Sequence, residues 1–238
     1  MDKQNGTTKV SSELLKQIRT IKMSSELYKE MTEWCLASKN EQAAVLLGKN
    51  KDGDIYSNKF CAREHFAESS TPTSVKFNRK TIADYLSENT KPNNDDVAIL
   101  MHTHPGLMAK CGFSHGDSFA YKSLHATPDD MFLEFPSEPG FVEEYNDSLE
   151  WHSAVSLLGV EVLHGVATAA NIDITKDCTM EEIVQGKSVF LIEVDGKVKY
   201  SPLFQIFELF QNIVSTAKHK AKKITTNLRG HIGNKEDK

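Results

Sequence analysis

An α/β fold is the architecture the sequence predicts, and three features predict it. Val97-Ala98-Ile99-Leu100-Met101 is an unbroken apolar run of strand length, as expected of a strand covered on both faces. Two stretches, 24–38 and 78–88, carry apolar residues at helical spacing. Asp52-Gly53 and Asp195-Gly196 each lie between short apolar runs, the pattern of a two-residue hairpin turn.

In chain order, Ser24 or Ser25 caps a helix to about Ser38, with Leu27, Met31, Trp34 and Cys35 on one face. Ala43 to Gly48 reads as a strand with Glu41 just at its start, and Asp52-Gly53 turns the chain into a second strand at Ile55 and Tyr56. Residues 68–74 are polar, contain Pro72 and read as a loop. Asn78 to Glu88 forms a helix through Ile82, Tyr85 and Leu86, and a polar linker leads to the 97–101 strand. Pro105 cannot continue a sheet ladder, so His102 and His104 lie at that strand's exit. Asp117 or Ser118 opens a short helix to about Ala126, after which Pro128, Pro136, Pro139 and Gly140 mark an irregular segment. Residues 148–164 read as helical at first and extended later, with no visible boundary. A second hairpin spans Val189 to Tyr200, and Leu203, Ile206, Phe207, Phe210, Ile213 and Val214 form an apolar helical stripe. That stripe is expected to dock on the domain or on a second subunit.

The bulk properties are those of a globular chain of 238 residues, with 39% hydrophobic and 26% charged residues. Charge is unevenly placed. No Lys or Arg occurs between Lys122 and Lys176, whereas Lys218, Lys220, Lys222, Lys223 and Arg229 crowd the end of the sequence. Cys35, Cys61, Cys111 and Cys178 form no C-x-x-C pair, so neither a zinc ribbon nor a thioredoxin-like site is indicated, and they fit a reducing compartment. The polar segment from Met1 to Val10 lacks the apolar core of a secretory signal, and 203–214 falls short of a membrane span. A cytoplasmic protein without a membrane partner is expected.

Chemistry concentrates at His102-Thr103-His104-Pro105, Ser114-His115-Gly116-Asp117 and Glu41. Side chains alternate along a strand, so His102 and His104 share a face while Thr103 points away. Two imidazoles and a carboxylate such as Asp117 hold a zinc ion with its fourth position open, the ligand count of a catalytic site. Such a site needs a proton acceptor, for which Glu41 is the candidate, and Ser114 can donate to a developing oxyanion. Each motif also has a plainer reading: an isolated His-x-His is a weak signal, Ser114-x-x-Asp117 is a helix-capping pattern, and Glu41 alone is a solvated carboxylate. Their joint occurrence at the end of a buried strand favours the metal.

These residues resemble the JAMM motif of Jab/MPN metalloenzymes, a family of deubiquitinating isopeptidases and their prokaryotic relatives. Glu41-Gln42-Ala43-Ala44-Val45-Leu46-Leu47-Gly48 is similar to the family's glutamate-bearing strand, and the histidine and Ser-x-x-Asp segments to its metal segment. The resemblance covers about Ile21 to Asn171. It implies Zn2+ on His102, His104 and Asp117, Glu41 as general base, Ser114 assisting the tetrahedral intermediate, and a mixed, curved sheet flanked by helices, cytidine-deaminase-like. It also implies a metalloprotease domain over 21–175, with an extension before it (1–20) and a hairpin, amphipathic helix and basic tail after it (176–238). Twelve residues, Pro105 to Gly116, separate His104 from Asp117 where the family usually has ten, and Ala44 stands where a glycine is frequent. His115 or Cys111 is the alternative third ligand.

The implied substrate is a conjugate of a ubiquitin-like or sulfur-carrier protein. Residues 68–75 and 127–150 stand where related enzymes carry insertions that grip the modifier. The second holds eight acidic and no basic residues, suited to a cationic tail, although a solvated acidic loop has the same composition. Two other readings remain: a small-substrate hydrolase of the same fold that releases an amino acid from a sulfur carrier, and a scaffold without catalysis. The basic tail is short and lacks aromatic residues, so a nucleic-acid module is not indicated.

Overall fold

Among the described residues ten strands and three α-helices build the fold in a computed structural model that describes residues 18–92, 94–105, 141–176, 190–199 and 216. In chain order the central elements are β1 (Thr20–Met23), α1 (Ser25–Leu36), β2 (Ala43–Lys51), β3 (Asp54–Ala62), the hairpin β4 (Ala67–Thr71) and β5 (Ser74–Phe77), and α2 (Arg79–Asn89). They continue with β6 (Asp96–Thr103), α3 (Phe141–Leu158), β7 (Glu161–Ala167), β8 (Ile172–Thr175), β9 (Leu191–Val194) and β10 (Lys197–Lys199). All strands but β4 and β5 join one curled, mixed sheet in the order β10-β9-β1-β3-β2-β6-β7-β8. The class is α/β, as the sequence predicts.

The alternation of β6 explains its unbroken apolar sequence. Val97, Ile99 and Met101 pack with Leu27, Met31 and Cys35 of α1 on one face, while Ala98 and Leu100 pack with Ile82 and Leu86 of α2 and Trp151 of α3 on the other. Every residue of β6 is buried, so no position along it is left for a solvated side chain. Each aliphatic side chain so covered contributes about 1.5–3 kcal/mol of burial.

The expected local signals recur in the coordinates. Ser24 caps α1 by accepting from the Leu27 N–H, and Asn78 caps α2 by accepting from Thr81. Asp52 and Gly53 have φ of 55° and 89°, the mirror-image turn that suits two twisted strands, and Asp195-Gly196 repeats the device between β9 and β10. The boundary not visible between 148 and 164 is Gly159: at φ 63° it ends α3, its N–H bonding back to the carbonyl of Val155.

The structure corrects one expectation. Residues 68–74, read as a loop, belong to the β4–β5 hairpin, which pairs Thr71 with Ser74 across Pro72-Thr73. Pro72 sits in the turn, where no ladder donor is required, and the polar residues belong to a hairpin whose exposed side needs no apolar alternation. The short helix at 117–126, the irregular segment to 140 and the stripe at 203–214 lie outside the described residues.

Gly165 of β7 faces Met101 of β6 across the parallel ladder, and a Cβ there would run into the Met101 thioether and lie 3.3 Å from Ile99 Cγ2. Gly165→Ala is expected to destabilise the fold by about 1–3 kcal/mol through overpacking. Denaturant unfolding checks this; an unchanged midpoint would show that Met101 yields freely.

Candidate metal centre

The antiparallel register of β2 and β6 pairs Ala43 with His102, and carried two residues further it sets Glu41 opposite His104. Residues directly opposite share a sheet face, so Glu41, His102 and His104 are brought together where the two strands end. The three are almost wholly enclosed, at 3%, 2% and 1% exposure. His102 Nε2 and His104 Nε2 are 3.1 Å apart, and His104 Nε2 lies 3.9 Å from Glu41 Oε1. One ligand atom from each of the three falls within 4.8 Å of the others.

This arrangement fits a metal ion. Nitrogens bound tetrahedrally at about 2.0–2.1 Å lie about 3.3 Å apart, close to the separation of the two imidazoles. A carboxylate enclosed beside two imidazoles is also a set whose charge a divalent cation would balance. A buried Glu41-His102-His104 group able to hold a metal ion is therefore a feature of the fold. Ser114 and Asp117, with the alternatives Cys111 and His115, lie outside the described residues.

Several contacts around the centre were not visible in the sequence. The Thr103 N–H bonds the Gln42 carbonyl at 3.2 Å, but the Gln42 N–H bonds the Thr103 hydroxyl at 2.9 Å. The hairpin then takes over: the Glu41 N–H donates to the Thr71 carbonyl at 2.8 Å, and the Ser70 hydroxyl donates to the Glu41 carbonyl at 2.6 Å. Phe77, at the end of β5, meets the His102 ring edge-on at 6.4 Å. From the opposite face of the sheet the Cys35 thiol donates to the His104 carbonyl at 3.6 Å, and burial raises its pKa so that it stays a protonated donor. The His104 N–H is held by the Ala167 carbonyl of β7 at 3.0 Å. These are tertiary contacts between segments 25 or more residues apart, and no local pattern announces them.

A groove of about 580 Å³ adjoins the centre, bounded by Trp34 of α1, by Ala37 just after it and by Arg63, Ala67 and Ser70, and it includes Glu41. Among the described residues no helix is long and apolar enough to cross a membrane. Cys35 and Cys61 are free thiols. No protein-family model matches the chain, and no curated protein matches it.

Proposed function

We propose that the chain is a zinc-dependent metallopeptidase of the Jab/MPN type that hydrolyses an isopeptide or peptide bond after a ubiquitin-like or sulfur-carrier protein. The observation that carries this reading is the convergence of two enclosed imidazoles, 3.1 Å apart, with the Glu41 carboxylate beside them. His102 and His104 would hold the metal, with Asp117 as third ligand. When bound, zinc lowers the pKa of a coordinated water from ~15.7 toward ~7 and polarises a substrate carbonyl. Glu41, 3.9 Å from His104 Nε2, is too distant for a direct hydrogen bond to that nitrogen and close enough to serve a group between them. It takes the proton of the attacking water and returns it to the leaving amine. Ser114 donates to the oxyanion as the carbonyl becomes tetrahedral.

The reading of a protein substrate draws on the β4–β5 hairpin. It stands beside Glu41, in the position of one modifier-gripping insertion, and the acidic 127–150 segment would attract a cationic tail. Full-length chain incubated with a panel of ubiquitin-like fusions, with and without chelator, is expected to cleave at least one of them only when metal is present. Cleavage that survives complete metal removal, or no cleavage of any fusion by the zinc-loaded chain, would set the reading aside. Asp117→Asn is expected to lower zinc content by elemental analysis; full occupancy in that variant would point to His115 or Cys111 as third ligand.

A further inference from the structure

We infer that Thr103, between the two candidate metal ligands, is a positioning residue for Glu41, an inference that rests on the metal-site reading above. In a regular antiparallel ladder the residues opposed at each hydrogen-bonded position exchange both backbone bonds, and the Thr103 N–H bond to Gln42 marks theirs as such a position. Gln42 and Thr103 exchange only one. The Thr103 N–H reaches the Gln42 carbonyl, while the Gln42 N–H is taken by the Thr103 hydroxyl. The ladder between β2 and β6 therefore ends on a side chain at the residue next to Glu41.

The consequence is geometric. With the hydroxyl in place of the carbonyl, the chain preceding Gln42 leaves the ladder, and the Glu41 peptide groups are picked up by Thr71 and Ser70 of the hairpin. Thr103 is 1% exposed and its side chain lies on the face away from the imidazoles, so it touches neither metal nor substrate. Its hydroxyl acts through Gln42 on where the Glu41 carboxylate stands relative to His104. Serine would keep the acceptor; valine would keep the shape and delete it.

Because the carboxylate contributes its charge to the centre, its placement is readable in zinc affinity without any substrate. The Zn2+ dissociation constant is measured by competition with a chelating dye for full-length wild type, Thr103→Val, Thr103→Ser, Glu41→Gln and the Thr103→Val/Glu41→Gln pair. Thr103→Val is expected to weaken zinc about tenfold, in the range of outer contacts at metal sites. In the Glu41→Gln background it should weaken zinc by no more than about twofold further, because the group it positions is no longer charged. Thr103→Ser should bind as wild type does. Equal weakening in both backgrounds, or wild-type affinity for Thr103→Val, overturns the inference while leaving the metal site intact. If Thr103→Val fails to fold, a folded Thr103→Ala chain replaces it: zinc weakened about tenfold against Thr103→Ser upholds the hydroxyl's role, and equal affinity of the two overturns it. Absence of zinc binding by wild type removes the metal-site reading itself, and the inference with it.

Discussion

Glu41→Gln is expected to keep one zinc per chain and to lose hydrolysis by about 10²–10⁴-fold, the range for removal of a general base. The amide has nearly the shape of the carboxylate, so the backbone bonds of Glu41 to Thr71 and Ser70 and the enclosure of the two imidazoles are retained. What disappears is the capacity to take a proton from water and return it to the amine. Elemental analysis and turnover on a cleaved fusion check the two halves separately. Undiminished turnover would show that another group carries the proton.

Arg19→Ala is expected to destabilise the fold by about 2–3 kcal/mol, because it leaves a half-buried carboxylate without its main partner. The Arg19 guanidinium grips Glu161 at the start of β7 with two bonds of 2.7 and 3.0 Å, and its Nε donates to the Gly53 carbonyl in the β2–β3 turn. It also lies 5.5 Å over the Phe190 ring. One side chain thus ties together the end of the sheet opposite the metal centre.

Burial pushes the Glu161 carboxyl up, but the bonds and charge of Arg19, with Lys176 3.6 Å away, outweigh it and hold the group below its usual range. A carboxyl depressed in the folded state stabilises above its unfolded pKa of about 4.3, and that stabilisation is lost as pH falls through the folded value. The stability gap between wild type and Glu161→Gln should therefore be constant near neutrality and shrink below about pH 4. Urea unfolding at several pH values checks it. A gap that widened in acid would mean that the pair does not stabilise.

The elements that locally strong signals define are legible in the sequence: α1 and α2 by cap and periodicity, β6 by its apolar run, both two-residue turns by Asp-Gly. Those that depend on distant pairing were not. β1 is a four-residue strand held parallel between β3 and β9, and β9 is separated from it by about 170 residues. β8 is equally short and pairs only at the sheet's end. The hairpin was obscured by its polar composition, since its strands pair with one another and not with the main sheet.

The candidate site divides in the same way. That His102 and His104 would share a face follows from strand geometry, and they do. That Glu41 would lie beside them rested on resemblance, and it is the β2–β6 register that brings it there. The bonds that Thr103, Ser70 and Cys35 make around the centre required the packed fold. A hydroxyl next to a histidine has many possible partners in sequence, and the fold gives this one the Gln42 N–H.

Zinc K-edge X-ray absorption on the purified full-length chain, paired with metal analysis, tests the central claim most directly. The account predicts about one zinc per chain bound to imidazole nitrogens at about 2.0–2.1 Å, with that signal lost in His102→Ala and His104→Ala. A chain that takes up no zinc, or one whose metal is held by sulfur at about 2.3 Å and survives both substitutions, would contradict it.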